Sequence, residues 1–276
     1  MNNSNNASPH PYSDIDLSSC LHRLFCQYTN ASRDLFDYLR DRSRVGFTSE
    51  QFHLYRDNYF FRTESTAECI GKIAWAAKRF RDDESAATFA KNFFEETGEG
   101  IGRRSHFRLL ETSHNIHAER IFGVPWLNIA DSEASPRLLQ EVHEYRRIQA
   151  RLYRLDNIED YALALGASYA QESAADGMLS AFYHWFFAPF AAVYHSGEFD
   201  YVSEYFTIHL NGMEKEHEEL ALKALLRNST RTEHQAAVIE GCSDFLRAQS
   251  VLWSGIYRAL VAAENVGPIV TPIFDQ

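Results

Sequence analysis

Three stretches of the chain carry glutamate and histidine at spacings able to hold metal ions. The first is Glu95-Glu96-Thr97-Gly98-Glu99-Gly100-Ile101-Gly102-Arg103-Arg104-Ser105-His106. The second is Tyr169-Ala170-Gln171-Glu172-Ser173-Ala174, and the third runs from Tyr205 through His209 to Met213-Glu214-Lys215-Glu216-His217. Carboxylates and imidazoles projecting inward from facing helices recur as binders of iron or manganese pairs, because both donor types suit these ions. Taken singly, His106 or Glu172 reads better as an ordinary helix residue than as a ligand. Glu172 gains weight from its neighbours Ala162, Leu163, Leu165, Ala167, Met178 and Leu179, which suggest a buried helix, and a buried carboxylate needs a partner.

His209 and His217 are eight positions apart, which on a regular helix turns them about 80° from each other. One residue accommodated as a π-bulge would realign them, and Asn211-Gly212 between them is a poor helix dipeptide that tolerates such a distortion. Glu214-x-x-His217 then remains an i, i+3 pair, the spacing used by metal-binding bundles. A competing register uses His209 and Glu216, with Met213 where a carboxylate would stand. A second architecture is also open: Glu111-x-x-His114 and Glu214-x-x-His217, with Glu64 or Glu68 and Glu172, would satisfy a ferritin-like diiron bundle and leave His106 spare.

The elements that must position these groups are helices. Glycine and proline number only 13 and 7 in 276 residues, and no strand-like alternation bounded by turn dipeptides occurs. Ser13 or Asp14 caps a first helix with Leu17, Leu21, Leu24 and Phe25 on one stripe. A second is expected from Ser49 to Phe80, a third from Glu84 to Glu96 stopping at Gly98, and a fourth from Arg104 to Phe122, ended by Gly123-Val124-Pro125. Further helices are expected over Pro136 to Leu155, Asn157 to Ala188, Tyr201 to Arg227 and Thr230 to Glu264. Long segments with short connections make an all-α bundle in one domain, residues 14–276, after a loose tail at residues 1–13.

Composition narrows the partners. A formal charge of -11 argues against a nucleic-acid partner. Cys20, Cys26, Cys69 and Cys242 are scattered without a C-x-x-C pair, as in a reduced, cytoplasmic protein. The N-terminal residues lack the features of a secretory signal. From Gly177 to Gly197 no Asp, Glu, Lys or Arg occurs, a length that could span a bilayer. Pro189, two histidines, two tyrosines and the absence of flanking Lys and Arg favour a buried core helix, and no membrane association is expected. Its aromatic residues, Phe182, Tyr183, Trp185, Phe186, Phe187 and Phe190, read as core, with part able to wall a small pocket.

In this order, the three Glu/His elements resemble those of the haem-oxygenase-like diiron oxidases and oxygenases. EETGEGIGRRSH matches that family's Glu, glycine-punctuated turn and His, which implies Glu96 and His106 as ligands. LGASYAQESAADGML matches its lone carboxylate, Glu172. The family's His-x-x-x-Asp-x-x-His is answered by His209, Glu214 in the Asp position, and His217. The likeness runs from about Leu17 to Leu226. It implies a haem-oxygenase-like bundle of about seven to eight helices, two Fe(II) per chain and O2 as co-substrate. Glu64 and Glu68, four apart on the preceding helix, are each a possible extra ligand of the kind attributed to nitrogen-oxidising members. His114 and His117 would be surface or ligand-supporting residues.

What the resemblance implies about activity is O2-dependent oxidation of a small amino-acid or amine metabolite in specialised biosynthesis, with N-oxygenation favoured. Desaturation, oxidative decarboxylation or C–C fragmentation of an amino or fatty acid is the alternative. Two other classes remain: a metal-free enzyme similar to thiaminase II or pyrroloquinoline quinone synthase, and a helical interaction protein without catalysis. A homodimer is implied by the resemblance alone.

Overall fold

Ser13 opens the first helix by accepting a hydrogen bond from Asp16 N, and α1 then runs from Asp14 to Arg42. The computed structural model describes residues 12–272, so the expected tail lies outside the described residues except for Tyr12 and Ser13. Leu17 and Leu21 are buried and Leu24 and Phe25 pack against the core, as the stripe requires. Two two-residue strands, β1 (Phe47–Thr48) and β2 (Ile269–Val270), pair antiparallel and tie the end of the described chain to the start of α2 (Ser49–Thr63). Thr48 and Gln51 form a reciprocal capping box at that start, each side chain bonding the other's backbone N–H.

The remaining helices are α3 (Thr66–Arg79), α4 (Asp83–Glu96), α5 (His106–Phe122), α6 (Gln140–Leu152), α7 (Ile158–Phe182), α8 (Glu198–Leu210), α9 (Met213–Asn228) and α10 (Thr232–Ala262). The protein is an all-α bundle. The described residues form ten α-helices rather than seven to eight because two expected helices are broken. The segment from Ser49 divides at Glu64-Ser65, and the one ending at Arg227 divides at Asn211-Gly212.

The central element is α7, which packs against α10, α9, α1, α8, α3 and α6. It has no dominant polar face, as befits a helix covered on most sides. It crosses α10 with backbones in contact: a methyl group at Gly166 would stand 2.0 Å from Val238 O, and one at Gly241 would stand 1.9 Å from Leu163 O. Only glycine at both positions permits that approach.

The expected helix to Ala188 ends earlier. After Phe182 the chain widens into one π-helical turn, Tyr183–Phe187, and then a 3-10 segment, Ala188–Val193. Pro189 explains this, since its ring collides with the carbonyl four residues back and it has no N–H to donate. Phe182, Phe186, Phe187 and Phe190 are fully buried in the core, while Tyr183 and Trp185 pack against it half-buried and His184 and Val193 are exposed. Among the described residues no helix is long and apolar enough to cross a membrane.

Candidate metal centre

Six side chains from five helices converge as two triads. Glu96, His106 and His209 form one, and Glu172, Glu214 and His217 the other; within each, candidate ligand atoms lie within 4.8 Å of one another. These are the six residues for which the family resemblance implies ligation. His209 Nε2 stands 3.7 Å from Glu214 Oε1, so the triads adjoin.

Local folding explains how each triad assembles. Glu96 is the last residue of α4 and His106 the first of α5. Between them Gly98 takes a left-handed φ of 88°, and a Cβ there would fall 2.5 Å from Ser105 N. This turn folds back closely enough to set His106 Nδ1 3.0 Å from Glu96 Oε1. Glu172 comes from the buried middle of α7.

The third element differs from the sequence expectation. No π-bulge joins His209 to His217; α8 ends at Leu210 and Gly212, at φ 105°, starts α9. π geometry appears at Tyr183–Phe187 instead. A chain break reorients side chains more than one inserted residue can, so His209 joins Glu96 and His106 while Glu214 and His217 join Glu172. Glu216 does not enter a triad; it pairs with Lys91 at 2.8 Å on the surface, which removes the competing register.

The imidazoles are oriented by their second nitrogens. His209 Nδ1–H donates to Tyr205 O at 2.5 Å, leaving Nε2 to face Glu214. His217 Nε2–H donates to Glu95 Oε2 at 3.2 Å, leaving Nδ1 3.9 Å from Glu172 Oε2. Such outer hydrogen bonds fix the tautomer of metal-ligating histidines. Glu95 was not singled out as a ligand from sequence; beside Glu96 in the last turn of α4, it reaches a different histidine. Buried Glu172 Oε1 has no hydrogen-bond partner.

Electrostatics also point to cations. Burial, and then the Glu96 charge, push the Glu172 carboxyl up to about 8. Burial, with Glu172 and Glu96, raises Glu214 well above the usual carboxylate range. Burial opposes ionisation of Glu96 too, but His106, with His209 and His217, outweighs it and holds the carboxyl below its ordinary value. Burial and the neighbouring His106 push His209 down to about 4. Carboxylates whose ionisation burial opposes, gathered beside three imidazoles, form a site that divalent cations would relieve.

Other expected residues are elsewhere. Glu64 and Glu68 do not share a helix face, since α2 ends between them. Glu64 reaches the rim of the cavity beside the triads and pairs with Arg146 at 3.2 Å. Glu68 is 63% exposed and pairs with Lys72 at 2.6 Å, away from the triads. Glu111 bonds Arg108 and Ile129 N, and His114 bonds Tyr55 and Leu110 O, so the ferritin-like set is not brought together. His114 and His117 are neither surface residues nor supports for the triads. Both are fully buried among aromatic rings, because the α5 face that begins at His106 packs, two to three turns further along, on Phe52, Phe122 and Phe187.

The cavity beside the triads is small, about 80 Å³, and is lined by Tyr59, Arg62, Glu64, Gln171 and Tyr205 together with apolar Ile70, Leu110, Met178 and Leu179. No protein-family model and no curated protein matches the chain. Its fold is similar to that of a CadD-like protein of unknown function from Nostoc punctiforme PCC 73102, in two crystal structures. One gives a TM-score of 0.66 at 16% identity, covering 90% of this chain and 99% of that one. The other gives 0.65 at 15% identity, covering 92% and 100%. At such identity the similarity concerns the all-helical fold.

Proposed function

We propose that this protein is a non-haem diiron oxidoreductase on a haem-oxygenase-like scaffold, using O2 to oxidise a small amino-acid or amine metabolite. The observation that carries this reading is the pair of adjoining buried triads, Glu96/His106/His209 and Glu172/Glu214/His217. Mixed carboxylate and imidazole donors suit ferrous iron, and two such ions would supply the electrons that activate O2. The chain's own part is to orient and to exclude. Tyr205 O and Glu95 hold His209 and His217 in the tautomers that present a free nitrogen inward. Ile70, Leu110, Met178 and Leu179 give the cavity an apolar wall, which disfavours water beside the triads.

Cavity size favours a small substrate. At roughly 15 Å³ per water-sized group, about five such groups fit, which suits a small amino acid better than a long acyl chain. Among the family outcomes we favour N-oxygenation, with Glu64 as the carboxylate at the cavity rim; Glu68 no longer contributes to that argument.

Anaerobic titration of the metal-free protein with Fe(II), followed by O2, tests the reading. The expected result is two irons per chain and O2 uptake that an added amino acid or amine accelerates. Absence of iron binding would transfer the site to the metal-free enzyme or the interaction protein.

A further inference from the structure

The same cavity contains a charge that metal binding leaves unanswered. Arg62, in the last turn of α2, is 5% exposed and lines the cavity with Tyr59, Glu172, Tyr205 and Glu214. Taking a guanidinium out of water is costly unless a carboxylate meets it. Buried Arg56 follows that rule, with Asp57 at 3.0 Å. Arg62 does not: among the described residues no carboxylate lies within ion-pair distance, and its Nε has no hydrogen-bond partner. Its guanidinium packs instead over the rings of Tyr145 and Trp253, 5.5 and 5.9 Å from their centroids. Gln171 Oε1, on the same cavity wall, is also buried without a partner.

The charges around the centre agree. Glu96, Glu172 and Glu214 are the three carboxylates of the triads and do not exceed the charge of two divalent ions, while Glu95 is paired with Lys91 at 3.4 Å and Glu64 with Arg146. With the charges of Glu172 and Glu214 taken up by metal, Arg62 stands as a buried positive charge with no ion-pair partner among the described residues. A planar guanidinium fork matches a carboxylate in bidentate fashion, and the apolar wall of Ile70, Leu110, Met178 and Leu179 suits the rest of a small organic acid.

We propose that Arg62 receives the carboxylate of the substrate, making the substrate a small carboxylic acid whose remaining atoms face the two triads. Both the binding and the fate of that acid rest on the diiron reading, because in the metal-free chain Glu172 and Glu214 lie near the Arg62 charge; iron stoichiometry read in the same samples tells failure of one from failure of the other. Calorimetric titration of the full-length protein, metal-free and after Fe(II) loading, with propionate, L-alanine, propionamide, L-alaninamide and inorganic phosphate provides the test. The two acids are expected to bind and their amides to bind roughly ten- to hundred-fold more weakly, the range for loss of a charge-assisted hydrogen bond. Arg62→Gln is expected to lose acid binding by a similar factor while taking up the same number of irons, and Arg62→Lys to recover part of it. Equal binding of acids and amides, tighter binding of phosphate than of either acid, or undiminished acid binding by Arg62→Gln would overturn the proposal, as would no acid binding by the wild-type chain. If Arg62→Gln does not fold, the acid and amide comparison on the wild-type chain decides. Iron stoichiometry in the same samples reports on the metal reading independently.

Discussion

Glu172 bears much of the electrostatic strain of the centre. Its folded-state pKa of about 8 lies above the ordinary 4.5, so the unfolded chain ionises first as pH rises. In the metal-free protein this residue therefore lowers stability progressively between pH 4.5 and about 8. Thermal melts of metal-free Glu172→Gln are expected to gain on the wild type as pH is raised across that window. Iron should reverse the order, since Gln cannot supply an anionic ligand, and Fe(II) bound per Glu172→Gln chain should fall from two to about one. Retention of two tightly held irons by this variant would remove Glu172 from the ligand set.

His117 has the opposite linkage. Burial presses it from 6.5 to about 3, so its contribution to stability is complete above pH 6.5 and drains as pH falls toward 3. His117→Phe should flatten the acid side of the stability profile measured by circular dichroism, although it forfeits the 2.8 Å bond to Tyr194. The ligand types were legible from residue spacing and family likeness, whereas Arg62, Glu95 and the burial of His117 were not. An arginine or histidine on an amphipathic helix gives no local sign of whether its tip ends in water or among aromatic rings.

The separation of α8 from α9 is the decisive feature among the helices. Gly212 holds φ 105°, a conformation that side-chain-bearing residues rarely adopt, while a Cβ there meets nothing within 4 Å. Gly212→Ala is thus expected to cost about 1–3 kcal/mol through backbone strain alone. Iron affinity should drop at both triads, because the break places His209 in one and Glu214 and His217 in the other. Gly241→Ala acts by collision, since a methyl group would stand 1.9 Å from Leu163 O. It should lower the melting temperature more than Gly212→Ala does, as relief requires α10 to move off α7. Helix starts, caps and terminators were readable because they depend on neighbours within four residues. The break at Glu64-Ser65 was not, for no Gly or Pro marks it and the apolar pattern continues across.

Across the whole molecule, the burial that opposes ionisation of Glu96, Glu172 and Glu214 leaves stability to be gained on metal binding. A ligand at a hundred times its dissociation constant stabilises by about 2.7 kcal/mol. For a chain of this size Fe(II) should raise the melting temperature by roughly 5–10 °C. A chelator should abolish the gain, and scanning calorimetry checks both.

Fold class, the order of the helices and the donor types were within reach of the sequence alone, because apolar period, capping residues and the Glu/His motifs are local properties of the chain. Which donors share a site was decided by tertiary structure. Glu68 and Glu172 are both helix glutamates, yet one meets Lys72 in solvent and the other faces His217 in the interior. The difference arises from where helices cross and where the chain breaks: the contact of α7 with α10 at Gly166 and Gly241 and the turns at Gly98 and Gly212 aim these side chains. Such long-range packing sets distances between residues far apart in sequence, and local periodicity carries no measure of them.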